Sequence, residues 1–506
     1  MDGQLWLGWC AVCARHLHPS REHCPYCDST DLGHVRASGE GITVACTVEP
    51  GRLGGEAQAI VVVALTVDPS VRLTAPLADC PEERITVGLP VGMHFDRVGT
   101  DWVARFRPRP GQAGRFGPRE TSRAAVAKMR GSRFEDRVAI TGIGRSPLGP
   151  EAPCPAATMA LHASRAAITD AGLHPGEIDG VCAFPGAEGL PGVSSGGIRE
   201  LEQSLGLRPS WHCAGRESSG PAGAIVDSML AVASGLCRHV LCFTVGVRGP
   251  APEPADASLS GTARVALAAS EYLGRYGVGR EALGWVAIAA RRHAERNPDA
   301  RRREAIDMSS YLAAGPVSAP LGALDCGLAS EGAVAVVVSA ADRATHGPSQ
   351  PVWVDAVGTR RRSLPPWEVG LDSYRAVAEL PAAHLWSRAR RPREDVDFIA
   401  VDDPFTLSTL CWLEALGFCG PGEAADFVAG GWRIGPDGVL PVNPHGGLLG
   451  GGSSGNYDNF YEAVSQLRGG ADGRQILSAR VAVACAADTQ TATAMLLVGG
   501  GSNDRR

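Results

Sequence analysis

Four cysteines near the start of the chain have the spacing of a metal site. Cys10 and Cys13 form one C-x-x-C pair, Cys24 and Cys27 form another, and ten residues separate the pairs. Each pair turns the backbone so that two thiolates converge, and two pairs supply the tetrahedral shell that zinc prefers. Because four protein ligands leave no open coordination position, the pattern predicts a structural Zn2+ site rather than a catalytic one.

A second set of residues could perform acid–base chemistry. Glu217 lies in a loop with glycine and serine, Asp402 and Asp403 follow an apolar run, and His445 lies in an Asn-Pro-His-Gly-Gly turn. Carboxyl groups that are buried close together have raised pKa values, which suits them to proton transfer. The alternative interpretations remain open: a helix N-terminal carboxylate for Glu217, cap or salt-bridge residues for the two aspartates, and a hydrogen-bonded turn residue for His445.

The elements that must position these residues fall into segments. The zinc ribbon occupies residues 1–38, and residues 39–108 contain short β-rich runs between Gly, Pro and Asp, which predicts a small β-barrel. These runs are 41–48, 59–67 and 102–106. Residues 109–133 are rich in Gly and Arg and are interpreted as a linker.

The rest of the chain carries an internal duplication, with halves at 134–345 and 346–506. The apolar run Val138–Gly144 has a counterpart 214 residues later, Val352–Gly358. Helical stretches follow at 156–171 and 374–390, and further apolar strands lie at 239–245 and 480–486. Alternating strands and helices predict two similar α/β halves with largely parallel sheets, packed so that loops from both meet at one site.

Two family resemblances follow from these segments. The first 108 residues look like the rubredoxin-like ribbon plus OB-fold family that is associated with acyl-CoA. The body resembles the thiolase superfamily, particularly the lipid-transfer-protein thiolases and the actinobacterial steroid side-chain aldolases. The stretches that carry this second resemblance are 402–406, 413–419, 440–449 and 462–469. It implies a layered αβαβα thiolase-like fold, fused here to an N-terminal zinc ribbon and OB-fold barrel.

The catalytic positions depart from the thiolase pattern. Thiolases place a nucleophilic cysteine two residues before a Ser-Gly pair that opens a helix. Aligned on Ser219-Gly220, that position is Glu217, while Cys213 lies four residues too early. Ser453 stands at the position of the thiolase histidine, where the aldolases carry tyrosine, and Tyr457 is a nearby substitute. The missing cysteine favours aldol chemistry, which the aldolase branch performs without it.

The resemblance implies a carbon–carbon lyase that acts on a β-hydroxyacyl thioester of coenzyme A or a carrier. Its expected catalytic residues are Glu217, Asp402, Asp403, His445, Ser453 and Tyr457. The thioester is expected to contact Ser219, Gly220, Asn443, Gly446 and Gly447. Two alternatives stay open: an acyltransferase or Claisen-type thiolase that uses Cys213, and a non-catalytic acyl-binding scaffold.

Composition excludes several other classes. Among 48 basic residues only Lys128 is a lysine, so a Schiff-base mechanism in the body has no amine available. The net charge of −6 argues against nucleic acid as a partner. No apolar run has the length of a membrane span and no signal peptide is indicated, so we expect a cytoplasmic protein. Thiolase-like bodies usually pair, which implies a homodimer.

Overall fold

The structure is a computed structural model of the whole chain. It describes residues 4–49, 57–99, 101–110, 133–147, 154–184, 197–214, 222–246, 259–328, 330–361, 369–452, 457–488 and 491–500, with the backbone alone at 197–200 and 214. None of the helices in these ranges is long and apolar enough to cross a membrane.

The N-terminal part begins with a small antiparallel sheet. Its strands are β1 (Leu5–Cys10), β2 (Arg15–Leu17) and β3 (Leu32–Ala37), in the order β2-β1-β3. Strand β1 ends at Cys10, so the first metal-type cysteine lies where the chain leaves the sheet and turns.

A five-stranded antiparallel sheet follows. Its strands are β4 (Glu40–Glu49), β5 (Gln58–Leu65), β6 (Arg72–Pro76), β7 (Pro90–Val98) and β8 (Asp101–Pro108), in the order β6-β5-β4-β7-β8. All three β-rich runs predicted from the sequence are strands. An isolated parallel bridge between Leu77 and Phe106 brings the two edges of the sheet together on one side.

The body contains a mixed sheet of nine strands, in the order β11-β10-β12-β15-β9-β16-β19-β18-β17. The body strands, including a separate hairpin of β13 and β14, are β9 (Val138–Arg145), β10 (Gly180–Phe184), β11 (Trp211–Ala214), β12 (His239–Gly246), β13 (Pro316–Ser318), β14 (Leu321–Gly322), β15 (Gly332–Ala340), β16 (Val352–Arg361), β17 (Phe398–Ala400), β18 (Val481–Ala487) and β19 (Thr491–Val498).

Ten helices surround these strands in the described ranges. They are α1 (Ala156–Asp170), α2 (Gly197–Leu205), α3 (Gly223–Ser234), α4 (Gly261–Tyr276), α5 (Glu281–Glu295), α6 (Met308–Ala313), α7 (Leu371–Arg388), α8 (Thr406–Leu416), α9 (Ala424–Val428) and α10 (Asp458–Leu467).

The duplication is confirmed by the pairing of the strands. In the first half β9, β15, β12 and β10 are neighbours in that order, and in the second half β16, β19, β18 and β17 repeat it with the same sequence of antiparallel, antiparallel and parallel pairs. The prediction of largely parallel sheets is wrong. Only three residues separate the end of β18 from the start of β19, and so short a connection forces antiparallel pairing.

The layers follow from the alternation of side chains along each strand. In β12, Val240 and Cys242 face a central core, while Leu241 and Phe243 face a different one. The central core contains α3 and α10 between the two halves of the sheet. Helix α1 covers the outer face of the first half, and α4, α5, α7 and α8 cover the outer face of the second. Because both faces are buried, the strands are continuous apolar runs.

The five-stranded sheet packs directly on the body through helix α4. Val44 and Val62 of the sheet share a core with Ala263 and Leu267 of that helix. Beside this core, Arg72 forms an ion pair with Glu271 at 2.8 Å. The N-terminal part is therefore joined to the body by apolar and ionic contacts with α4, a helix of the first half.

Candidate functional site

The four cysteines of the N-terminal sheet form a compact cluster. Their sulfur atoms all lie within 4.8 Å of one another, with Cys10 Sγ 3.6 Å from Cys27 Sγ and Cys13 Sγ 3.5 Å from Cys24 Sγ. A tetrahedron with metal–sulfur bonds of about 2.3 Å has edges of roughly 3.8 Å. The four thiols therefore have the spacing to hold a single metal ion, as the sequence predicted.

A group of carboxyl residues lies at one edge of the second half-sheet. Asp402 and Asp403 follow β17, and Asp488 follows β18. These two strands are parallel neighbours, with Phe398 opposite Ala482, so their carboxyl ends meet at the same edge. Side chains after the carboxyl ends of parallel strands are the usual binding residues of α/β sheets. The three aspartates are therefore brought together by strand topology.

Asp403 is bound on several sides by the turn at 443–448. Its Oδ1 accepts a hydrogen bond from the Leu448 backbone N–H at 2.7 Å, and the Asn443 side chain bonds it as well. A Cβ on Gly447, whose φ is +60°, would lie 2.1 Å from Asp403 Oδ2, so only glycine allows this approach. Burial raises the pKa of Asp403 to about 7, and the hydrogen bonds to its carboxylate limit that rise.

Asp402 has a different environment from its neighbour. Its side chain is 6% exposed, and its carboxyl makes no hydrogen bond or ion pair with any residue in the described ranges. Burial, followed by repulsion from Asp403 and Asp488, raises the pKa of Asp402 well above its ordinary value. A buried carboxyl that is not engaged in structure and has a raised pKa has the properties of a general acid or base.

Asn443 organises the segment between the two aspartates and the glycine turn. Its backbone has a φ of +54°, a left-handed conformation that asparagine tolerates better than most residues. Its Oδ1 accepts from the Val401 N–H at 2.7 Å, and its carbonyl accepts from the Gly446 N–H at 2.8 Å. Asn443, Gly446 and Gly447 thus shape the acid site. Contact of these three residues with a thioester stays a prediction.

His445 lies in the same turn, but its ring belongs to another polar cluster. Its electrostatic neighbours are Asp458, Arg474 and Arg145, and not Asp402, Asp403 or Asp488. Burial lowers the pKa of His445 to about 4, so the ring is neutral at physiological pH. The ring Nδ1 is buried and has no hydrogen-bond partner within the described part of the chain, while Asn297 donates to the backbone carbonyl of His445 at 2.8 Å.

Tyr457 is fully buried in the central core. Its hydroxyl lies 3.3 Å from Cys242 Sγ, and its ring packs edge-to-face on Phe460. The structure therefore groups Tyr457 with the core thiols and not with the aspartates. The predicted residues Glu217, Ser219, Gly220 and Ser453 lie outside the described residues.

Cys213, the alternative nucleophile, is a strand residue. It lies in β11 opposite Cys182 of β10, ten positions before α3 begins at Gly223, so it does not lie at the N-terminus of that helix. Burial and the proximity of Cys182 and Asp227 raise the pKa of the Cys213 thiol to about 11. Since the thiolate is the nucleophile, this environment disfavours acyl transfer through Cys213.

Asp488 is the site residue that sequence reasoning missed. It is exposed at the rim of the site, and its carboxylate accepts from the backbone and hydroxyl of Thr491, which begins β19. Its position at the end of a predicted strand, 480–486, was the available indication, because the earlier strand of the same half also ends in aspartates.

Comparisons with known proteins identify the family of the body. Residues 375–499 match the family model described as Thiolase C-terminal domain-like. The 17-hydroxy-3-oxo-4-pregnene-20-carboxyl-CoA lyase of Mycobacterium tuberculosis is 30% identical over 365 residues, which are 66% of this chain and 92% of the relative. The steroid side-chain-cleaving aldolase of Thermomonospora curvata is 30% identical over 361 residues, which are 65% and 90% of the two chains.

Solved structures of thiolase-like proteins share the fold of the body. The Ltp2-ChsH2(DUF35) aldolase superposes with a TM-score of 0.64 at 26% identity, over 73% of this chain and 99% of the solved chain. The Acat5 thiolase of Ascaris suum in complex with coenzyme A shares the fold, with a TM-score of 0.55 at 15% identity over 72% of this chain and all of its own. The chain belongs to the thiolase superfamily and is a homologue of the steroid side-chain-cleaving aldolases.

Proposed function

We propose that the protein is a carbon–carbon lyase that cleaves a β-hydroxyacyl thioester of coenzyme A by a retro-aldol reaction. The observation that carries this proposal is the buried Asp402 carboxyl beside Asp403, which has no bonding partner in the described ranges. The Cys213 thiol, the alternative nucleophile, is poorly suited to attack. Homology to two aldolases that act on steroid side chains supports the same reaction class.

The reaction follows from the properties of Asp402. Its ionised carboxylate removes the proton from the β-hydroxyl group, and the oxygen electron pair forms a carbonyl as the Cα–Cβ bond breaks. The electrons of that bond pass to the thioester as an enolate, and a proton returned to the α-carbon completes the shortened acyl-CoA. A raised pKa brings the carboxyl closer to the pKa of its proton-transfer partners, which makes both transfers easier.

Asp403 and the turn at 443–448 hold Asp402 in place. The Asp403 carboxylate is occupied by the Leu448 N–H and the Asn443 side chain, so it is the poorer base of the two. Its charge, when present, raises the pKa of Asp402 further. His445, as a neutral buried imidazole, is proposed to support the turn from behind, with its carbonyl held by Asn297.

For the N-terminal part we propose a structural zinc ribbon at 1–38 and an OB-fold at 39–108 that contributes to acyl-CoA binding, joined through 109–133 to the two halves of the body. The strand order β6-β5-β4-β7-β8, together with the parallel bridge from Leu77 to Phe106, supports the OB-fold assignment. The solved aldolase that the chain resembles is named for two components, Ltp2 and ChsH2(DUF35), which supports a second functional part beside the thiolase-like body. A homodimer is proposed from the resemblance to thiolases.

The proposal is tested with a steroid thioester that carries a 17-hydroxyl group and a 20-carboxyl-CoA. Purified protein is incubated with this substrate, and the released ketone and acyl-CoA are measured by liquid chromatography with mass spectrometry. We expect equimolar release of both products. Failure to release ketone from this and from shorter tertiary β-hydroxyacyl-CoA substrates would contradict the proposal, and an acyl adduct on Cys213 would favour the acyltransferase alternative.

A further inference from the structure

A short segment connects the two loops that form the acid site. We call residues 325–328 the bridging segment. Cys326 forms an antiparallel bridge with Phe405, and the Gly327 N–H donates to the Pro404 carbonyl at 2.8 Å. One residue on, the Leu328 N–H donates to the Leu448 carbonyl at 2.8 Å. The segment therefore bonds at the same time to residues 402–405, which we call the aspartate loop, and to residues 443–448, which we call the glycine turn.

The bridging segment packs closely against both loops at Gly327. A Cβ at Gly327 would lie 2.8 Å from Leu448 Cβ and 3.2 Å from the Pro404 carbonyl oxygen. Both neighbours belong to the loops that carry or contact Asp402 and Asp403. A shift of the bridging segment would therefore move at least one of these loops.

Asp325 anchors the segment at its first residue. The side chain is fully buried, and its Oδ1 accepts from the Tyr311 hydroxyl at 2.6 Å and from Thr406 Oγ1 at 2.7 Å. Its Oδ2 accepts from the Gly322 N–H at 2.8 Å, with the Arg280 guanidinium 3.6 Å away. Thr406 is the first residue of α8 and comes directly after the aspartate loop.

We infer that Asp325 is a positioning residue of the lyase site, which acts through Thr406 and the bridging segment to hold the Asp402 carboxyl in its dry, unengaged position. This inference rests on the proposed function and assigns the residue that sets its geometry. Because its carboxylate is occupied by the Tyr311 and Thr406 hydroxyls and the Gly322 N–H, we assign Asp325 to positioning rather than to proton transfer. Loosening the loop would admit water to Asp402 and return its carboxyl to an ordinary acidity.

The test compares two variants that each remove one donor from the same carboxylate. Thr406→Val removes the bond on the side of the aspartate loop, and Tyr311→Phe removes the bond on the side of α6. We expect Thr406→Val to lower kcat about tenfold, to leave KM within about twofold, and to move the acidic limb of the kcat/KM profile to lower pH by about one unit. Tyr311→Phe is expected to keep the wild-type profile.

Melting temperatures of the two variants show whether a lower kcat reflects a general loss of stability. If the two variants lower the melting temperature equally and both keep the wild-type kcat and pH profile, the positioning function is overturned. Asp325→Asn is informative only as a soluble, folded protein, so the conclusion rests on the two milder variants.

A separate readout keeps this inference independent of the proposed reaction. Protein with 13C-labelled aspartate is titrated by NMR, with Asp402→Asn used to assign the Asp402 carboxyl resonance. We expect Thr406→Val to lower the titration midpoint of Asp402 and Tyr311→Phe to leave it unchanged. An unchanged midpoint in Thr406→Val overturns the inference even if the wild type is an active lyase, and a lowered midpoint supports it even if the assayed thioesters are not substrates.

Discussion

The cysteine cluster and the aspartate cluster are two groups of ionisable residues with opposite energetics. The four cysteines lie within 18 residues of sequence, and all four thiolates can coordinate one metal ion, whose positive charge offsets part of their negative charge. Asp402 and Asp403 are buried beside Asp488, and like charges raise rather than relieve their energy. A metal ion bound by the first cluster would stabilise the small N-terminal sheet. The second destabilises the fold, and such a cost is retained where a site needs an unsatisfied group.

The largest effect is expected from removing the unengaged carboxyl. Asp402→Asn keeps the size of the side chain but cannot accept the hydroxyl proton, so we expect kcat to fall about 10²- to 10⁴-fold. Turnover of the steroid thioester is the measurement. Asp227→Asn is the matched control, since burial also raises the pKa of Asp227 but this residue lies on α3. Comparable loss in both variants would remove the distinction we draw for Asp402.

The next effect concerns the cysteine cluster. We expect the wild-type protein to bind one zinc ion per chain. Cys27→Ser is expected to abolish this binding and to expose the ribbon to proteolysis, because structural zinc supplies folding energy. Metal content by mass spectrometry and limited proteolysis measure this. Cys80→Ser, outside the cluster, is the control. If the zinc is structural, the soluble variant keeps the pH dependence of wild-type turnover, and a changed pH dependence would link the metal to the chemistry.

A smaller effect is expected on stability as a function of pH. The pKa of Asp403 is about 7 in the folded protein and about 3.9 when unfolded, so between these values the folded state binds more protons. The free energy of unfolding therefore falls as pH rises from 4 to 7. Asp403→Asn lacks this titration, so we expect its pH dependence to be shallower by at least about 1.4 kcal/mol, one pKa unit. Chemical denaturation at pH 4 and pH 8 is the measurement, and parallel curves would contradict the prediction.

The smallest effect is expected at Cys213. Its thiol has a pKa of about 11 and lies within a strand, so Cys213→Ala should change kcat less than about twofold. Cys237→Ala, another thiol whose pKa burial raises to about 11, is the control. A tenfold loss confined to Cys213→Ala would restore the acyltransferase hypothesis.

Most of the architecture was accessible from the sequence because it depends on local pattern. The runs 41–48, 138–144 and 352–358 all became strands, since apolar and β-branched residues bounded by glycine define strand positions without reference to partners. The direction of pairing was not accessible in the same way. The prediction of parallel sheets failed at β15 and β19, where the connection and the neighbours decide the direction.

The candidate site could be predicted only in part from the sequence. Asp402 and Asp403 were identified from the family resemblance of residues 402–406, but their different environments depend on the Leu448 N–H and the Asn443 side chain, which come from about forty residues away. Tyr457 was selected because it is close in sequence to Ser453, which stands at the position where the aldolases carry tyrosine. Its ring lies instead in the central core, because α10 begins at the next residue and carries it inward against Cys242.

The sequence by itself determined the metal-type ligand set, the duplicated body and the superfamily, because each of these depends on the spacing of residues along one chain. Only the tertiary structure showed that the Asp402 carboxyl has no bonding partner in the described ranges and that Asp488 lies near Asp402. It also showed that Asp325 accepts a hydrogen bond from Thr406, next to the loop that carries Asp402 and Asp403. The physical reason is that protonation and positioning depend on burial and on the charges and donors within a few ångströms. In this fold those neighbours come from strands and loops that are far apart in sequence.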